Sequence, residues 1–273
     1  DIKADSLSMF FILSLSILVL CVSIYSIQYI SHYIGNKNAG VFYFLYATFI
    51  LSMIFVFTSA NAVFFYVSWE VMSVASYFLV IFDSEDKETQ KAGTLYIIMT
   101  HIAAAFLLIG FAMIYSYTNS FDLFGSASAI PDGARNVLFI LFLIGFGTKA
   151  GAIPFHIWLP QAHPAAPSNI SALMSGLMIK TGIYGLIRFV FCYLGVEDTW
   201  WGVLLLCLGT VTLVLGIAYA FIEKNVKRLL AFSSVENIGV ILIGLGVSFL
   251  ANAQDQHVIA GLALTAALLH TFH

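Results

Sequence analysis

Four charged side chains sit where water is scarce. Glu70, Lys149, Lys180 and Glu236 all fall inside apolar runs long enough to cross a bilayer. An ionised lysine at the bilayer centre costs about 2.5–3.5 kcal/mol on insertion scales, so intramembrane charges mark ion pairs or proton pathways. A lysine stripped of solvent favours its neutral amine. A carboxylate about 4 Å away restores the ammonium by about 4 kcal/mol at an effective dielectric near 20. Moving a glutamate toward or away from a buried lysine therefore switches it between holding and releasing a proton. Arginine does not deprotonate and cannot be switched in this way. Both central cations here are lysines, which favours a relay over a structural ion pair. Histidine is the natural shuttle near neutral pH. His101 and His270 lie within apolar runs, while His156, His163 and His273 lie at their ends or between them. Thr100, Thr148, Ser171, Ser175 and Thr181 could hold bridging waters, although span hydroxyls usually bond the preceding turn of their own helix.

The elements that position these residues follow from composition. The chain has 273 residues, 61% hydrophobic and 9% charged, with mean hydropathy +0.97. Soluble domains carry roughly 25% charged residues. Lipid is the solvent this composition fits, and only helix bundles or closed barrels satisfy the backbone there. Runs of about 20 apolar residues without alternation select helices over barrel strands. Cys21, Cys192 and Cys207 are widely separated and form no CxxC or Cys/His pattern, so no disulfide framework, metal site or bound cofactor is expected. A net charge of −3 gives no footprint for a nucleic-acid partner.

The fold expected is all-α, a polytopic transmembrane bundle of about nine spans. They are placed near 7–31, 41–59, 62–82, 92–116, 137–158, 169–190, 201–222, 229–250 and 258–273. The connection at 117–136 is long enough for a short helix, though its Asn, Ser, Gly and Pro residues favour turns. The sequence starts at Asp1 and stops inside an apolar run, which reads as a fragment. Alternate loops divide the cations six to three. Lys37, Lys87, Lys91, Lys224, Lys227 and Arg228 share one face; Lys3, Arg135 and Arg188 share the other. The richer face is then cytoplasmic. Pro154, five residues after Lys149, predicts a break in that helix, and Gly145, Gly147 and Gly151 loosen it further. Broken helices at membrane depth are tolerated where they line a wet or buried site. Gly182 and Gly185, beside Lys180, predict close helix packing.

The string TKAGAIPFHIWLPQAHPAAPSNISALMSGLMIKTGIYGLIRF at 148–189 resembles the signature of the antiporter-like membrane subunits. These belong to respiratory complex I, multisubunit cation/proton antiporters and membrane-bound nickel-iron hydrogenases. WEVMSVASYFLV at 69–80, KRLLAFSSVENIGVILIGLG at 227–246 and YSIQYI at 25–30 extend the resemblance over most of the chain. AHPAAPS together with ENIG leans toward the hydrogenase-4 and formate hydrogenlyase branch. The resemblance implies a proton relay through Glu70, Lys149, Lys180 and His270, with Pro154 at the helix break. His101, Glu236 and His156 are auxiliary candidates. It also implies two inverted five-helix repeats, the first over 41–190 and the second beginning at 201 and incomplete at 273.

The function this predicts is a proton-translocating subunit of a redox-driven complex in a prokaryotic inner membrane. It would have no redox centre of its own and would depend on other membrane subunits and a peripheral redox arm. The alternative is a subunit of a multisubunit sodium/proton antiporter, which would need clustered oxygen ligands not visible in the sequence. A purely structural scaffold would leave the central lysines unexplained.

Overall fold

The computed structural model describes residues 2–33, 38–82, 86–196 and 198–272. The predicted contributions of Lys37 and His273 lie outside the described residues. The molecule is helical throughout, without strands among the described residues. The helices are α1 Ser6–Tyr33, α2 Ala39–Thr58, α3 Ala62–Val80, α4 Lys87–Thr118 and α5 Asp132–Ala150. They continue as α6 Leu159–Ala165, α7 Ser168–Leu194, α8 Thr199–Ile222, α9 Val226–Asn252 and α10 His257–Phe272. Eight of them are long and apolar enough to cross a membrane, whereas α10 is 16 residues long.

Polar caps set the boundaries. Asn38, Asn61, Asp86 and Asn225 each accept hydrogen bonds from the first free amides of α2, α3, α4 and α9. Asn119 ends α4 in the left-handed region, with φ 50°. The connection at 119–131 carries no helix and runs as turns, as its Asn, Ser, Gly and Pro residues favour. Its backbone is tied instead to the start of α3, with Phe121 O accepting from Ala62 N and Leu123 N donating to Ala60 O.

Inter-loop contacts establish the two faces of the bundle. Asp86, Glu88, Lys91, Pro164 and Arg228 line one cavity, and the Lys227 ammonium donates to Ala166 O. The loops that the alternation rule groups together therefore lie on one face. On the opposite face Lys3 and Arg188 both stack on Phe124, at 4.0 and 5.0 Å from its centroid. There, too, Trp201 Nε1 donates to Asn136 Oδ1.

Helix α5 ends sooner than the proline alone predicts. It stops at Ala150, because Gly151 takes φ +80° and reverses the chain. Residues 151–158 run as successive turns into α6, and the Ile153–Pro154 peptide is cis. Neighbours take up the backbone groups that the break frees. Ile153 N donates to Thr212 Oγ1 on α8, Ala152 N to Gly147 O, and Trp158 Nε1 to Thr148 O.

Beside the break, Phe65, Phe111, Phe142, Phe146 and Phe189 pack edge to face and stacked between α3, α4, α5 and α7. Gly182 allows α7 to approach closely: a Cβ there would lie 2.4 Å from Phe146 O.

Candidate functional site

Lys149 is the last-turn residue of α5 and is 1% exposed. Its ammonium donates to Ser73 Oγ at 2.9 Å and to the Tyr96 hydroxyl at 3.2 Å. Tyr96 in turn sits 2.6 Å from Ser76 Oγ and 3.5 Å from Met178 Sδ on α7. The Trp69 and Tyr96 rings lie 5.7 and 5.5 Å from the ammonium. The lysine is thus held by neutral oxygens and aromatic faces, and among the described residues no carboxylate lies within ion-pair distance. All three oxygen-bearing partners follow from register. Ser73 and Ser76 are one turn apart on the buried face of α3, and Tyr96 faces them from α4.

Glu70 lies one turn before Ser73 on α3. Its ion pair is with His101 of α4, whose Nε2 is 3.5 Å from Oε2. Glu70 therefore stands next door to the Lys149 cluster, on the same helix as Ser73. His101 Nδ1 is 2.9 Å from Ile97 O.

Lys180 is half-buried in the middle of α7, where the regular helix is interrupted on both sides. Wide i→i+5 turns cover Met174–Met178 and Leu186–Leu194. Such turns are rare and recur at functional positions. Among the described residues Lys180 makes no hydrogen bond or ion pair. It lines a cavity of about 280 Å³ with Ser175, Ser234, Asn237 and His270. His270 Nε2 is 3.0 Å from Asn237 Oδ1, and Ser175 and Ser234 share a 2.7 Å hydrogen bond. A second cavity, of about 450 Å³, shares Ser175, Gly176, Ser234 and Asn237 with the first and reaches His163, Ser168 and Lys227. Together the two run from the cation-rich face to Lys180 and His270.

The remaining candidates separate. Pro154 lies in the break, as predicted, but Gly151 executes the turn. His156 stacks near Tyr219 and Phe232, with its buried Nδ1 unbonded among the described residues. Glu236 lines a different cavity with Ile217, Phe221 and Ser233, and among the described residues it pairs with none of the loop cations. His163, read as a loop residue, is buried in α6 with Nε2 lacking a partner. Thr100, Thr148 and Thr181 bond their own helices, whereas Ser175 reaches across to α9.

Three positions were missed. Ser73, Ser76 and Tyr96 gave no charge signal, and only helical register could have aligned them. Arg188, read as an end-of-span cation, is buried and grips Asp5 through two 2.6 Å hydrogen bonds. That contact holds the Asp5 carboxyl well below the usual carboxylate range.

The fold is thus a multi-span helix bundle with one lysine buried at a broken helix and a second in a polar cavity. Residues 59–271 match the family described as NADH:quinone oxidoreductase/Mrp antiporter, TM, and the chain belongs to that family. Hydrogenase-4 component B of Escherichia coli is 40% identical over 273 residues, covering 98% of this chain and 40% of that protein. A chain in the Mrp complex of Dietzia superposes with TM-score 0.83 at 26% identity, over 98% of this chain and 28% of that one. A chain of the archaeal membrane-bound sulfane sulfur reductase superposes with TM-score 0.81 at 23% identity, over 97% and 53%, and shares the fold. The chain therefore spans about two fifths of the length of that curated relative. It is a multi-span protein from a family of prokaryotic membrane complexes, whose members work beside other membrane subunits.

Proposed function

We propose that this chain carries protons through the membrane as part of a redox-driven complex of the hydrogenase type. The observation that carries this reading is Lys149: a buried amine, at a helix break, hydrogen-bonded among the described residues to two neutral hydroxyls. A lysine held in that way can take either protonation state, because serine and tyrosine hydroxyls donate as readily as they accept.

In this reading the cavities below Lys227 admit protons from the cation-rich, cytoplasmic face to Lys180 and His270. Lys149 is the other store, loaded or emptied as Glu70 moves nearer or farther. The Tyr96–Met178 contact joins the Lys149 cluster to the helix that bears Lys180. Glu236 and His156 lie off this line and serve at most its surroundings. Residues 41–190 form the first of two inverted five-helix repeats, and the second starts at 201. Electrons are handled by a peripheral redox arm held by other subunits. The 40% identity to a hydrogenase-4 component favours this over the antiporter alternative.

The test is reconstitution of the assembled complex in liposomes, with a pH-sensitive dye and a sodium tracer read in parallel. Lys149→Ala should abolish redox-driven proton movement while the complex still assembles. Sodium movement in exchange for protons without electron transfer would establish the antiporter alternative.

A further inference from the structure

The Glu70–His101 contact has a hydrogen-bond logic of its own. A carbonyl oxygen can only accept, so the Nδ1 that sits 2.9 Å from Ile97 O carries a hydrogen. The other ring nitrogen then meets Glu70 Oε2 at 3.5 Å. In a neutral ring that nitrogen would present its lone pair to the carboxylate's lone pairs. One more proton between them, as imidazolium with carboxylate or imidazole with carboxylic acid, makes the approach attractive. The pair is therefore a site for one proton.

Its placement gives that proton a consequence. Glu70 and Ser73 are one turn apart on α3, and His101 and Tyr96 both stand on α4. Ser73 and Tyr96 hold the Lys149 ammonium. Glu70 stands between two basic side chains, His101 at ion-pair distance and Lys149 beyond it. The titratable groups around it are Tyr66 on α3, His101 and Tyr96 on α4, and Lys149 on α5. His101 is also the accessible member, with its side chain 51% exposed against 23% for Glu70.

We propose that His101 is a positioning residue that competes with Lys149 for the Glu70 carboxylate. A proton bound at His101 Nε2 draws Glu70 outward and leaves Lys149 to Ser73 and Tyr96. Loss of that proton frees Glu70 to move toward the lysine. The ring keeps its Nδ1 hydrogen throughout, and only the Nε2–H bond forms and breaks. This inference rests on the relay reading and adds to it the group that moves Glu70.

Difference infrared spectroscopy of the assembled complex across pH tests it. The Glu70 carboxylate band, identified by its loss in Glu70→Gln, should change in step with a histidine ring band. In His101→Gln that pH response should vanish, and proton translocation should fall about tenfold. His101→Arg keeps a cationic donor beside Glu70, so the band should persist but stop responding to pH. That variant carries the test if His101→Gln does not assemble. A Glu70 band that titrates as in wild type in either variant would overturn the proposal. The two readings can fail separately. A lost response in His101→Gln together with full pumping in Lys149→Ala would sink the relay alone. An unchanged response together with a dead Lys149→Ala would sink only the role of His101.

Discussion

The two buried lysines occupy opposite kinds of surroundings. Lys149 is enclosed by aromatic rings and has a definite partner for its ammonium in Ser73 and in Tyr96. Lys180 has no protein partner among the described residues and stands in a polar cavity between two widened stretches of helix. Enclosure with fixed hydroxyls suits a group that stores a proton. An unpartnered amine in an open polar cavity suits a group that exchanges one with water. In the proposed relay the same residue type serves two steps because its surroundings differ.

Removing the exchangeable group should have the largest effect. Lys180→Met fits a half-buried helical position without an amine, and proton translocation in reconstituted complex should drop by about 100-fold or more. Assembly should be retained, since no partner is left unpaired. Next comes the hydroxyl cradle of Lys149. Tyr96→Phe keeps the ring and removes one of the two acceptors of the ammonium, a hydrogen bond to a charged group worth about 1.5–3 kcal/mol. Translocation should fall about tenfold and the complex should melt at lower temperature. The equivalent change at the other site, Ser234→Ala, removes only a neighbour's hydrogen bond and should cost a few-fold at most. If Ser234→Ala proved the more damaging of the two, the contrast between a fixed and an open site would be wrong.

The Asp5–Arg188 clamp lies apart from both lysines and should affect stability rather than transport. Asp5→Asn leaves a buried guanidinium without its counter-charge. The penalty for breaking a buried pair, about 3–5 kcal/mol, is reduced here to about 2 kcal/mol because Asp5 is partly exposed. The folded carboxyl is held below its unfolded value, so its stabilisation is complete above the ordinary carboxylate range. It is lost as pH falls toward the folded value. Thermal melts of wild type and Asp5→Asn should therefore differ at pH 7 and converge in acid, with pumping per assembled complex unchanged.

The smallest effect concerns orientation. Single cysteines placed at Lys87 or Lys224 should resist membrane-impermeant thiol reagents in intact cells, and one at Ser128 should label. Ready labelling at Lys224 would reverse the topology.

Much of this was legible in the sequence. Length and hydropathy gave most of the spans to within a few residues, because lipid enforces helices and the loops carry the polar caps; the span expected at 137–158 is instead Asp132–Ala150, and the ninth is a 16-residue helix. The motif at 148–189 identified Lys149 and Lys180, and charge scarcity alone singled them out. Fine geometry was not legible. Pro154 announced a break, but the reversal comes at Gly151, where only φ tells. Ser73, Ser76 and Tyr96 look like any span hydroxyls until α3 and α4 are set side by side. Glu70 was readable as a functional carboxylate, whereas its partner depends on which side of α3 faces α4. Arg188 read as an interfacial cation because burial and a partner 183 residues away leave no local trace.

The central claim is that Lys149 works by gaining and losing a proton, and Lys149→Arg tests it most directly. Arginine retains the positive charge and the donors for Ser73 and Tyr96, so any purely structural service survives, but it does not release its proton. The measurement is redox-driven proton uptake by the assembled, purified complex in liposomes, normalised to its electron-transfer rate. The account predicts an assembled complex in which uptake is abolished. Uptake at the wild-type ratio in Lys149→Arg would contradict it.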